Sequence, residues 1–208
     1  MSNILDMLSS HLSQEQVQAI SKKIGASPEQ TQTAIQAALP TLLGALGRKA
    51  ESPGGAEQVH AALSRDHDGS IMDNLGGLFG MVTGGGKSIS GATGTNSVGD
   101  SILGHLLGGK KNHVQETIGK SSGINASQAG SLLSMLAPIV LGAVGKQQKT
   151  QGLNPSDLAG MLRNENQSIE KASGGTSFIG RMLDQDGDGD FDVSDMMKMG
   201  MSKLFDKK

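Results

Sequence analysis

Apolar positions along this chain recur at helical spacing, and no stretch alternates apolar and polar residues with the β-branched enrichment of a strand. The pattern predicts an all-α fold, with helices over roughly 3–10, 14–24, 28–49, 55–64, 70–80, 98–107, 112–121, 126–148, 155–164, 166–172, 177–183 and 194–205. Two of these helices depart from simple amphipathicity. Leu42-Leu43-Gly44-Ala45-Leu46-Gly47 and Val140-Leu141-Gly142-Ala143-Val144-Gly145 are apolar almost all round. Such segments must be buried, and their glycines let a second helix approach closely. Each follows a proline, Pro40 or Pro138, which removes one backbone hydrogen bond and is expected to kink its helix.

These two segments belong to a longer internal match at an offset of 98 residues. Ile20, Lys22, Gly25, Gln30, Pro40, Leu43, Gly44, Ala45 and Gly47 fall on Ile118, Lys120, Gly123, Gln128, Pro138, Leu141, Gly142, Ala143 and Gly145. A weaker match, slipped by one residue, sets Val59, Ala62 and Leu63 on Leu158, Met161 and Leu162. Helix punctuation repeats as well. Ser27-Pro28-Glu29-Gln30 supplies an N-cap, a first-turn proline and a capping-box partner; Asn125 to Gln128 does the same without the proline. Gly25 and Gly123 stand where a helix that ends in a left-handed residue requires glycine. The period is too long for a solenoid of short units and implies two related helical subdomains.

The expected organisation is a first repeat over 1–82, a linker over 83–97, a second repeat over 98–173 and a C-terminal helix-loop-helix over 174–208. The linker, TGGGKSISGATGTNS, is too polar to bury and too rich in Gly, Ser and Thr to order without a large entropic cost. With four Phe, no Trp and no Tyr, the core must rest on Leu, Ile, Val, Ala and the 11 Met. Lys and Arg total 18 against 20 acids, so the basic excess and stacking aromatics of a nucleic-acid binder are missing. No cysteine is present, which removes disulfide and thiolate chemistry. The N-terminal MSNILDMLSSHLSQEQ lacks the features of a secretory leader. The most apolar run, Leu132 to Val144, is shorter than the ~20 residues of a membrane span and reads as a buried helix.

One stretch carries defined chemistry. In Asp184-Gln185-Asp186-Gly187-Asp188-Gly189-Asp190-Phe191-Asp192-Val193-Ser194-Asp195, the residues Asp184, Asp186, Asp188, Asp192 and Asp195 occupy positions 1, 3, 5, 9 and 12 of a calcium loop. Asp190 takes position 7, where the backbone carbonyl is the usual ligand; Gly189 takes the turn position and Phe191 the apolar anchor. Six carboxylates in twelve residues repel one another in a folded, empty loop, and a divalent cation converts that repulsion into coordination. Ca²⁺ is the expected ion. Asp195, where many such loops carry Glu, is one methylene short of easy bidentate reach, which weakens binding and leaves room for Mg²⁺ to compete. Asp66-His67-Asp68-Gly69-Ser70-Ile71-Met72-Asp73 is a partial echo, but on the same template it puts Ser64 at position 1 and Leu75 at position 12. Turn and cap chemistry accounts for it without an ion.

Catalytic motifs do not emerge. His11, His60, His67, His105 and His113 form no metal-binding spacing, and Ser131 in Gly130-Ser131-Leu132 lacks the second glycine of a nucleophile elbow. Gly84-Gly85-Gly86-Lys87-Ser88 ends like a phosphate loop, yet the first glycine of that motif would fall on Met81.

With the repeat and the acidic tail in hand, the chain resembles the bacterial domain-of-unknown-function 937 family (DUF937, related to YidB-like proteins). The residues that carry this are Ala38-Leu39-Pro40-Thr41-Leu42-Leu43-Gly44-Ala45-Leu46-Gly47, Leu136-Ala137-Pro138-Ile139-Val140-Leu141-Gly142-Ala143-Val144-Gly145, Asp68-Gly69-Ser70, Ile102-Leu103-Gly104-His105-Leu106-Leu107-Gly108 and Leu183-Asp184-Gln185-Asp186-Gly187-Asp188-Gly189-Asp190. The resemblance implies a bacterial, helical protein without an established activity. The expected function is non-enzymatic: a structural calcium loop on a body that self-associates or binds a protein partner. The alternative is a hydrolase that uses the bound ion. Compartment signals diverge: the lack of a leader points to the cytoplasm, whereas a weak calcium loop fills only outside it, after leaderless export.

Overall fold

The computed structural model describes residues 4–66 and 95–172, and their regular structure is helical throughout, with no strand among the described residues. In order they form α1 (Ile4–His11), α2 (Gln14–Ile24), α3 (Pro28–Glu51), α4 (Gly55–Asp66), α5 (Thr95–Leu107), a 3-10 turn (Gly108–Lys110), α6 (Lys111–Ser122), α7 (Ala126–Gln151) and α8 (Pro155–Ala172). The expected helices over 70–80, 177–183 and 194–205, the linker from 83 to 94, and the Asp184–Asp195 loop lie outside the described residues.

Local chemistry fixes where the long helices begin. Ser27 caps α3 and Asn125 caps α7; each accepts from a backbone N–H three residues on, while Gln30 and Gln128 reach back to the cap's own N–H. Both capping boxes stand where the sequence put them. Each follows a left-handed glycine, Gly25 at φ 70° and Gly123 at φ 72°, a conformation that costs any residue with a Cβ. Ser13 and Gln16 build a third box at the start of α2. At α8 the Asp157 amide donates to Asn154 Oδ1 at 3.0 Å.

Three boundaries differ from expectation. α5 starts at Thr95 rather than 98, and α3 and α7 run on to Glu51 and Gln151. α8 is one helix, not two broken near residue 165. Asn164 and Asn166 are weak helix formers, but Leu158, Leu162, Glu165 and Ile169 lie on one face and are all buried, so packing carries the helix through. As expected, α3 is continuous through Pro40 and α7 through Pro138.

Every residue of α3 from Ala37 to Gly47 is buried, as is nearly all of α7 from Leu132 to Gly145. α7, at 26 residues, is long and apolar enough to cross a membrane, but 83% of its most apolar window is buried against the other helices. It packs as a core helix. A single hydrophobic cluster joins the segments 4–66 and 95–172, including Leu8, Leu39, Leu42, Leu63, Leu103, Ile118, Leu132, Leu136 and Leu158. The helices interleave. α8 packs on α3 and α4, α4 packs on both α3 and α7, and α6 lies against α3 as well as α7.

The tightest approach is α5 on α7. Pro138 has no N–H to offer the Ser134 carbonyl four residues before it. Gly99 of α5 fills the space beside that carbonyl, and a Cβ on Gly99 would stand 1.8 Å from Ser134 O and 2.9 Å from its Cα. Both atoms are backbone and cannot swing aside. Gly99→Ala is therefore expected to destabilise the protein by about 3 kcal/mol, or roughly 6–12 °C in thermal melting. Gly104, in the same helix, is exposed, and a Cβ there would meet nothing within 4 Å. Gly104→Ala should instead stabilise by about 0.5–1 kcal/mol through helix propensity alone.

Candidate functional site

The metal-ligand candidates Asp184, Asp186, Asp188, Asp190, Asp192 and Asp195 all lie outside the described residues, as does the weaker turn from 67 to 73. Among the described residues no group of three or more His, Cys, Asp or Glu side chains gathers in one place. The structure brings together a different set. Between the C-terminal halves of α4 and α7 lies a groove of about 370 Å³, lined by His60, Leu63 and Ser64 on one side and Gly145, Gln148 and Lys149 on the other, with Gly152 and Leu153 at its end.

The polar side chains of this groove are tied to each other and to backbone. His60 Nε2 lies 2.9 Å from the Leu153 carbonyl, so that nitrogen carries the proton in the hydrogen-bonded tautomer. The Ser64 hydroxyl donates to the His60 carbonyl at 2.9 Å, and Gln148 Nε2 donates to Ser64 Oγ at 2.8 Å. Ser64 and His60 thus meet through backbone, not as a nucleophile with its base. Gln148 is 6% exposed, and its Oε1 is buried without a hydrogen-bond partner. An orphan acceptor in such a site carries a desolvation penalty of about 1–3 kcal/mol.

The sequence did not single out Ser64 or Gln148. Ser64 enters the expected turn only as a misfit at loop position 1, and Gln148 stands in the polar run Lys146-Gln147-Gln148-Lys149 beyond the apolar segment. His105 faces its own helix: Nδ1 lies 2.9 Å from the Ser101 carbonyl.

A second buried polar group sits elsewhere. Glu165 of α8 is 8% exposed and accepts the Leu5 amide at 2.9 Å, so a carboxylate 160 residues away caps the start of α1. Burial pushes the Glu165 carboxyl above its ordinary range, and the nearby Asp6 charge adds to this; the Leu5 and Ile4 amides oppose it.

One family model matches residues 6–147, described as a bacterial protein of unknown function (DUF937). The matched span runs from α1 to near the end of α7 and includes neither α8 nor Asp184–Asp195. No curated protein and no solved structure matches the chain.

Glu165 has a pH consequence. A carboxyl raised in the folded state holds its proton to higher pH than the unfolded chain does, so its contribution to stability is full in acid and falls as pH rises through the folded value. Glu165→Gln keeps an acceptor for the α1 amides without the buried charge. It should melt at or above the parent temperature at about pH 7, with the gap closing near pH 4. Glu165→Ala should lose about 1 kcal/mol with the cap near pH 4 and less at about pH 7, where the buried charge already offsets part of the cap's contribution. If the Gln variant falls as far as the Ala variant at neutral pH, charge burial is not what limits this cap.

Proposed function

The chain belongs to the bacterial DUF937 family of proteins of unknown function, and from that premise we propose that it is a non-enzymatic protein that holds one structural Ca²⁺ in Asp184–Asp195 and acts by self-association or by binding a protein partner. The observation that carries this reading is the spacing of the loop: carboxylates at positions 1, 3, 5, 7, 9 and 12, glycine at 6 and an apolar anchor at 8. Asp184, Asp186, Asp188, Asp192 and Asp195 with the Asp190 carbonyl form a closed set of hard oxygen ligands, which leaves no open position for a substrate. Mg²⁺ competes for the same ligands at a loop that ends in Asp195.

Ser64, His60 and Gln148 direct their hydrogen bonds at backbone and at one another, an arrangement suited to fixing helices and not to activating a nucleophile. The ion's role is to fix the C-terminal segment, whose Met196, Met197, Met199 and Met201 offer a flexible apolar face for packing.

Removal of the ion is then expected to lower stability. With Ca²⁺ at a hundredfold excess over its Kd, the bound state gains about 2.7 kcal/mol, or roughly 5–10 °C in melting temperature. Asp184→Asn combined with Asp188→Asn should abolish the shift, and isothermal titration should give one Ca²⁺ per chain with weaker Mg²⁺ binding. Melting curves that coincide in Ca²⁺ and in chelator, with no heat of binding, would refute the proposal.

A further inference from the structure

The contacts between the segments 4–66 and 95–172 come in reciprocal pairs. Gln30 Nε2 donates to the Gly123 carbonyl at 2.6 Å, and Gln128 Nε2 donates to the Gly25 carbonyl at 2.7 Å. Gln128 and Gly123 are the residues 98 positions after Gln30 and Gly25. Each segment therefore offers the other the same glutamine and takes it on the same left-handed glycine. Residue i meeting j while j meets i is the signature of a self-complementary, two-fold interface.

The far ends of the long helices follow the same rule more loosely. Arg163 of α8 pairs with Glu51 at the end of α3 at 2.9 Å, while Ser64 of α4 pairs with Gln148 at the end of α7 at 2.8 Å. The two-fold image of Glu51 is residue 149, one position from Gln148. In both cases the fourth helix of one segment closes on the long helix of the other.

This interleaving leaves neither segment complete alone. The buried face of α8, with Leu158, Leu162 and Ile169, packs on α3 and α4 of the other segment. Whatever covers it must present α3 and α4, and a second copy of this chain presents them identically.

We propose that two copies of this chain exchange halves, with 4–66 of each copy paired to 95–172 of the other through the interface already present within the single chain. Among the described residues this gives a two-fold dimer that reuses the same contacts, and it names the partner and manner of the self-association proposed above, on which it rests. The covalent tie through residues 67–94 favours the closed single chain at low concentration. Exchange gains as chain concentration approaches the effective concentration that this covalent tie imposes. Because the core must open first, exchange occurs during folding.

The absence of cysteine makes the test clean. Glu51→Cys and Arg163→Cys place single thiols on two exposed side chains that meet only across the interface. The two full-length variants are mixed equally, refolded together from denaturant over a range of concentrations and treated with a short bismaleimide. The double variant, cross-linked within one chain, serves as the geometric control. Glu51→Cys mixed with Glu116→Cys, exposed on α6, is the background. A two-chain band above background, with a dimer-to-monomer ratio rising about tenfold per tenfold increase in concentration, is expected. A band no stronger than background at every concentration overturns the exchange. If light scattering then still finds dimers, self-association stands and uses another surface; if it finds monomers throughout, both readings fall.

Discussion

The constraint on which this structure rests is that α3 and α7 are apolar on every side through their middle turns. An ordinary amphipathic helix needs a partner on one face only. A helix buried from Ala37 to Gly47 without a gap needs partners all round it. Among the described residues neither segment encloses its own long helix, and the two segments enclose each other's. α8 on α3, α4 on α7 and α6 against α3 follow from that need, as does the single cluster that joins both halves.

The core of the described residues holds no aromatic side chain, which sets a second condition. Leu, Val and Ala fill little space per residue, so the helices must lie close for density to approach that of a normal interior. Gly99 against the Ser134 carbonyl is where this closeness is greatest. The proline that weakens α7 internally also exposes the carbonyl on which α5 comes to rest. Pro138 and Gly99 thus act together, one in freeing a polar backbone atom and the other in letting a helix approach it.

Much of the local structure was legible because its causes are local. Ser27 with Gln30, Asn125 with Gln128, and the glycines before them specify helix starts and stops within a few residues of sequence, and they stand as read. The continuity of α8 was not legible, because Asn164 and Asn166 speak for a break and only burial against α3 and α4 outweighs them. Nor was the groove: Ser64 and Gln148 are 84 residues apart and ordinary where they stand, and nothing short of the interleaved packing makes them neighbours. The same glutamines that were read as capping-box partners also reach across to the opposite half. A capping box accounts for the Oε1 of Gln30 but says nothing of its Nε2.

The two ends of the shared interface differ in how they are held. Near the helix starts, Gln30 and Gln128 make short bonds to backbone that a two-fold arrangement satisfies twice over. At the far ends, Arg163 and Glu51 are 60% and 41% exposed, and an ion pair so open to water contributes at most about 1 kcal/mol. In their counterpart a buried Gln148 meets an exposed Ser64, and one amide oxygen is left without a donor. Neither polar arrangement there can be the main source of cohesion. That falls to Leu63, Leu158 and Leu162, each 0–1% exposed, whose burial contributes about 1.5–3 kcal/mol per side chain. The polar contacts at the helix starts therefore set the register of the two halves, and the leucines at the other end hold them together.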